Sequence, residues 1–444
     1  MNRSSTLYLL AIGGLGGFLY GVDFGVIAAA EPYMVALGIY SGARVSLVVG
    51  AVMLGGLVSS LTAGVLCDFI GRKRMIVAAS AMFLVAIPIV CLSLHCFPIL
   101  FAGRILQGMS AGYMAVVMPM YLTETLPADI RGRGTGVFQF FLGLGLVIAA
   151  GAGCLVATFY GASDQAQDAA AMAAAWRANF WWTMIPVAVL MAGSLRLPES
   201  PVWLARGAAE KAKDAAGSGK TAASAGGSLL RRRYVVPFLL AVLVLTFNKT
   251  TGMSSFTSYL VSILHNAGFD GIYANWGQLA VKLTNMLVTI AAAALVDRKG
   301  RTWLLKVGTG GMTIGLAAIG SVFLAIERFG LQANNFTGLL TLFSFFFMQV
   351  FYALGPGLCV WLVLSELMPL RIRANGMAIA LFMNQLVACG LASTFRPWVE
   401  AWGWSSMFFF FAANGVLYFA TALFIPETKG KSLDELEHLF DRRR

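Results

Sequence analysis

Apolar residues fall along this chain in long blocks, nearly free of charge and separated by short polar segments. A helix that crosses a bilayer needs ~20 consecutive, mostly apolar residues. Stretches such as LLAIGGLGGFLYGVDFGVIAAA do not alternate, as a membrane β-strand must over ~10 residues. Backbone polar groups in lipid have to be bonded within the protein, so the blocks read as helices. The pattern predicts twelve, over residues 6–30, 45–67, 74–95, 98–122, 134–158, 179–196, 235–264, 274–296, 303–325, 338–366, 374–397 and 403–425. The first block lacks the short apolar core and cleavage site of a signal peptide and is read as a retained span.

Composition agrees with that pattern. Only 12% of the 444 residues are charged and 59% are hydrophobic. A soluble domain carries about 25% charged residues, so most of this surface has to face the bilayer. The formal net charge of +12 could suggest nucleic acid, but its distribution excludes that partner. Basic residues cluster in every second loop, as in Arg72–Lys73–Arg74, Arg131 and Arg133, Arg231–Arg232–Arg233, Arg298–Lys299 and Arg371–Ile372–Arg373. One alternate loop carries Asp164 and Asp168 instead. This is the positive-inside pattern, and it places both termini and the middle loop on the cytoplasmic side of an inner membrane. The six cysteines form no CxxC pair, so no zinc site or disulfide framework is expected. Cys91 and Cys96, near the outer face, read as small packing residues.

The segment ARGAAEKAKDAAGSGKTAASAGGSLL divides the blocks into six and six. Its composition is that of a linker or a loosely helical segment. The chain therefore divides into a six-helix bundle over 1–204, a cytoplasmic linker over 205–232, a second bundle over 233–428 and a tail over 429–444. The halves repeat one another. TETLPADIRGRG is answered by SELMPLRIRANG, DFIGR by DRKGR, and PESP by PETKG, all in the same order. The predicted fold is an all-α membrane protein of two pseudo-symmetric six-helix bundles, with a solute site near the midplane between them.

The repeated motifs carry charge to predicted cytoplasmic helix ends. Asp68, Arg72, Glu124, Arg131 and Glu199 in the first half correspond to Asp297, Arg301, Glu366, Arg373 and Glu427 in the second. Partly buried pairs cost a few kcal/mol to break, so each set is expected to act as a latch on the cytoplasmic gate in the outward-open state. Gly71 is expected in a tight turn, and Gly64 at a close helix–helix approach.

Ionisable groups inside spans are expensive and are read as functional. Asp23 lies mid-span in FLYGVDFGV, and Arg104, opening the fourth span in GRILQG, is its natural partner. Burial and a nearby cation act in opposite senses on a carboxyl, so such a residue can gain and lose a proton. Lys249 in TFNKTTGMSS is too deep in its span to snorkel and needs a wet cavity or an acidic partner, and Lys282 in QLAVKLTN lies one turn before Asn285 on the eighth span.

Taken together, GVLCDFIGRKR, GRILQG, PMYLTETLPADIRGRG, PESPVWL, VDRKGR, GPGLCVWLVLSE and PETKGKSLDELE resemble the sugar porter family of the major facilitator superfamily, from about Gly13 to Glu437. The resemblance implies twelve helices, rocking-type alternating access and uptake of monosaccharides or polyols, often with a proton. It matches Asp23 to the acid that proton symporters keep and Arg104 to its basic partner. It matches Gln139, Asn285, Asn384 and Trp361 to residues that line the family's sugar site. Asn248 and Lys249 stand where the family usually has paired glutamines, Ser254 where it has Asn, and Gln385 and Ala388 where it often has Trp and Asn. Tyr20 and Tyr352 are candidate aromatic walls. Gly355 and Pro356 break the tenth span and permit it to bend.

No Walker loop and no HExxH occurs, and His95, His265 and His438 are scattered. No enzymatic activity, cofactor or metal is expected. The partners read from the residues and the resemblance are a small solute, a proton and the lipid bilayer, acting on a monomer. A proton-coupled symporter of a monosaccharide or polyol leads. A carrier of a sugar acid or other organic anion comes next, because of Lys249 and Lys282. A passive uniporter is disfavoured by Asp23, and a non-transporting sensor by the short tail.

Overall fold

The computed structural model describes residues 3–93, 96–127, 130–165, 168–205, 232–368 and 373–427, nearly all of them helical. Most of the expected linker and the tail over 429–444 lie outside the described residues. The first five spans are Arg3–Ala36, Gly42–Ile70, Arg72–Cys91, Phe97–Thr125 and Arg131–Tyr160. The sixth is two pieces, Ala169–Trp181 and Met184–Ser194. It begins ten residues before the expected start at 179, because the alanine-rich run AAAMAAAWRANFW is a strong helix former.

In the second half, the seventh span breaks into Arg232–Thr250 and Met253–Asn266. Gly252 makes the break, at φ 84. Gly271–Lys299 and Arg301–Phe329 are the eighth and ninth spans. The tenth is Asn335–Leu354 followed by Pro356–Leu367, interrupted at the expected Gly355–Pro356. The last two run within Arg373–Phe424 and join at Gly403 (φ 82, ψ 167). Among the described residues, ten stretches are long and apolar enough to cross a membrane. Two spans share the last stretch, and the broken sixth is not among the ten, which makes twelve.

Small residues let the helices approach closely. A Cβ on Gly17 would lie 2.2 Å from the Phe138 carbonyl oxygen, and one on Gly21 would lie 2.0 Å from that of Leu142. Spans one and five can therefore cross only with glycine at these positions. Gly64 behaves otherwise than expected: nothing lies within 4 Å of where its Cβ would stand, so it mediates no close approach.

The repeated motifs fold alike. Gly71 (φ 98, ψ 159) precedes the third span and Gly300 (φ 93, ψ 157) the ninth. In each case the acid of the PESP or PETKG motif caps the new helix. Glu199 Oε1 accepts from the Lys73 amide at 2.9 Å. Glu427 accepts from the Arg301 and Thr302 amides, each at 3.1 Å. The first amides of a helix lack intrahelical acceptors and sit at its positive end, so a carboxylate there satisfies both needs. A Cβ at Gly71 would stand 2.6 Å from Glu199 Oε2, and one at Gly300 would stand 2.8 Å from Glu427 Oε2. Both backbones lie in a region that is essentially glycine-only and costs about 1–3 kcal/mol for other residues. Gly71→Ala and Gly300→Ala are each expected to destabilise the protein by about that amount; thermal unfolding in detergent would show it, and an unchanged Tm would refute it.

The halves meet along spans two and eleven, five and eight, and one and seven. Their polar contacts gather at the end away from the basic loops. Asp164, after the fifth span, accepts from the Gly271 amide of the eighth at 3.0 Å. Tyr259 of the seventh span donates to Ser46 of the second at 3.0 Å. Arg396 of the eleventh span pairs with Glu31 of the first through Nε, and donates to Ser262 of the seventh from Nη2 at 3.2 Å. Ser262 donates in turn to Glu31. Glu31 is fully buried there.

Candidate functional site: a central polar cavity

Where the halves part, they enclose a cavity of about 210 Å³. Tyr20, Gly21 and Phe24 of the first span and Gln139, Leu142 and Leu146 of the fifth form its N-terminal wall. Lys249, Met253, Ser254 and Thr257 flank the break in the seventh span, and Lys282, Asn285 and Thr289 come from the eighth. The broken tenth span adds Gln349, Tyr352, Gly357 and Trp361. Both helix breaks thus fall at the cavity wall, where irregular backbone is tolerated because it lines an opening and not lipid. Trp361 is 49% exposed although it lies within a bundle. The inter-half polar contacts described above close the opposite end, so the cavity opens toward the basic loops.

The wall is amphipathic. Gln349 Nε2 donates to Asn285 Oδ1 at 2.8 Å, tying the tenth span to the eighth. Lys249 Nζ donates to Ser254 Oγ at 3.1 Å across the break. Amide and hydroxyl groups facing aromatic rings suit a solute with polar edges and apolar faces.

Of the expected solute-contacting residues, Gln139, Lys249, Ser254, Asn285 and Trp361 line the cavity. Asn248 and Asn384 do not. The Asn248 amide nitrogen donates to the Pro356 carbonyl at 3.5 Å, and that of Asn384 donates to Leu245 at 2.8 Å, so both hold helices together. Lys249 takes the cavity side of its helix, and Asn248, turned ~100° round the axis, faces the Pro356 carbonyl instead. Gln349, Thr257 and Thr289 went unnoticed in the sequence; their polarity within spans was the available signal.

Asp23 and Arg104 come together as expected, but behind the wall and not in the cavity. Both are buried, with Arg104 Nη1 3.6 Å from Asp23 Oδ1. Neither Asp23 oxygen accepts a hydrogen bond among the described residues. Arg104 also donates to Gln107 at 2.8 Å and lies over the Phe180 ring, 5.2 Å from its centroid. Tyr20, Gly21 and Phe24 bracket Asp23 on the same helix, so the cavity wall and the ion pair share one rigid element.

Of the charge networks near the basic loops, the described residues show that of the first half. Arg72, 2% exposed, lies 2.9 Å from Asp68 and 3.0 Å from Glu124. Ser200 donates to Glu124. Glu199 and Glu427 serve as the helix caps described above. Each of these contacts stays within one half. The side chains of Arg131, Asp297, Glu366 and Arg373 lie outside the described residues.

Two six-helix halves, sealed at one end around a polar cavity that opens at the other, define a secondary transporter of the major facilitator fold. The chain belongs to the Sugar (and other) transporter family, whose model matches residues 9–440. It is 30% identical to a putative metabolite transport protein of Bacillus subtilis (strain 168), over 98% of this chain and 95% of that protein. It is 27% identical to the galactose-proton symporter of Escherichia coli (strain K12), over 98% of this chain and 94% of that one. Its fold matches the crystal structure of a D-xylose-proton symporter with a TM-score of 0.79 at 23% identity, covering 96% of this chain and 99% of the other.

Proposed function

We propose that this protein is a proton-coupled symporter of a monosaccharide-sized, hydroxyl-rich solute, working by alternating access as a monomer in an inner membrane. The basic loops and both termini lie on the cytoplasmic side, which makes the described conformation inward-open. The observation that carries the reading is the wall of Gln139, Ser254, Asn285, Gln349 and Trp361 with the Asp23–Arg104 pair directly behind it. Names of relatives support the solute class and the coupling, since they include a galactose-proton symporter, a D-xylose-proton symporter-like protein and a major myo-inositol transporter.

In this reading Asp23 carries the proton. Loss of its charge removes the ionic partner that Arg104 has among the described residues, and span one can then shift relative to span four. Solute held by Tyr20 and Gln139 on one side and by Asn285 and Trp361 on the other draws the halves together. The networks of Asp68, Arg72 and Glu124, with their second-half counterparts, fasten the cytoplasmic ends once those ends meet. The test is uptake into proteoliposomes under an imposed pH gradient, and accumulation that ignores the gradient would refute coupling. Trp361→Ala removes the aromatic face. It is expected to raise KM about tenfold with a smaller change in kcat, following the ~1–3 kcal/mol typical of an aromatic platform; an unchanged KM would take Trp361 out of the site.

A further inference from the structure

The geometry points to a solute that bears a carboxylate, a sugar acid of the uronate or aldonate kind, held by Lys249, Lys282 and the start of the helix Met253–Asn266. This rests on the transport reading above and specifies its solute. Among the described residues, two lysines and no acidic residue line the cavity. Lys282 is 6% exposed, and neither lysine forms an ion pair with a described residue. A buried ammonium without a counter-charge is costly, and its retention inside a membrane indicates use. An arriving anion supplies the missing partner.

The backbone supplies an independent observation. The seventh span restarts at Gly252, and Met253 and Ser254, the first residues of the new helix, line the cavity. The first intrahelical acceptor bond is made by the Phe256 amide, to Gly252 at 2.9 Å. The amides of residues 253–255 precede it and lack such partners, as at any helix start. Their free N–H groups and the positive end of the helix dipole favour an anion. A carboxylate there would also reach Lys249, which already lies 3.1 Å from the Ser254 hydroxyl. Among the described residues no arginine lines the cavity, and arginine's planar fork is the better match to phosphate. The remaining wall of amides, hydroxyls and Trp361 requires a hydroxylated body, so a simple fatty or aromatic acid does not fit.

The test uses the full chain in proteoliposomes under an inward pH gradient, with glucuronate and gluconate set against glucose, myo-inositol and glucose 6-phosphate. The acids are expected to accumulate and to compete with one another, with the neutral solutes failing to displace them at tenfold excess. Lys249→Gln and Lys282→Gln are each expected to raise KM for the acids at least tenfold without lowering Tm, since each removes a buried charge that has no ionic partner. Accumulation of neutral sugars without the acids would overturn the inference and leave the transport reading standing. Selective uptake of the phosphate ester, or a KM within twofold of wild type in both variants, would also overturn it. If no solute responds to the gradient, the transport reading itself fails.

Discussion

Asp23→Asn is expected to abolish accumulation of solute against its gradient while leaving exchange of labelled for unlabelled solute across the membrane. The change keeps the shape of the side chain and removes its capacity to bind and release a proton. Asp23 is fully buried, stands 3.6 Å from Arg104 and accepts no hydrogen bond from a described residue, so its charge state is coupled to that cation. The cavity is not built from Asp23, and solute can still enter and leave. In the variant, Arg104 loses its counter-ion whether or not solute is bound, and the halves rock without a proton. A membrane potential adds a second readout. With one proton per turnover, a neutral solute moves one positive charge inward and a monocarboxylate moves none, so a potassium diffusion potential drives only the former. An accumulation ratio in Asp23→Asn equal to that of the wild type would remove Asp23 from the coupling step.

Arg396→Leu is expected to shift the protein strongly toward the outward-open state. Arg396 and Glu31 lie on opposite halves and meet at the sealed outer end, with Ser262 bonded to both. Removing one member of a buried pair leaves the other charge uncompensated, at about 3–5 kcal/mol. That penalty falls on the closed outer end alone, because opening returns Glu31 to water. The ratio of closed to open forms is then expected to fall by about two to four orders of magnitude, at tenfold per 1.4 kcal/mol. Spin labels at Ile39 and Leu331, both exposed beyond the ends of the spans, would report a longer separation. Replacing Glu31 as well by Leu is expected to restore closure, since an apolar pair of similar volume can substitute for a buried ion pair. A distance distribution unmoved by the single change would mean that the pair does not hold the gate.

Much of this architecture is readable along the chain. Long uncharged blocks dictate helices because lipid offers no partner to a free backbone group. Alternating basic loops orient them, and the repeated DFIGR/DRKGR and PESP/PETKG motifs predict two similar halves. The Gly71 and Gly300 turns follow from the same repeat, since each helix restart needs a residue without a Cβ. The family resemblance points to the positions of Gln139, Lys249, Ser254, Asn285 and Trp361, and all five line one opening.

Other features are decided only by packing. Helical rotation turns Lys249 into the cavity and Asn248 away from it, and contacts with neighbouring spans set that rotation. Asp23 was legible as a membrane-buried acid, but its position behind the wall depends on how spans one and four lie together. Nothing along the chain singles out Glu31 and Arg396, one just past the predicted first span and the other near the end of the predicted eleventh. Their partnership joins residues 365 positions apart, on helices of opposite halves. A sequence records which residues are costly to bury; which of them relieve one another's cost is fixed by distances that exist only in the folded molecule.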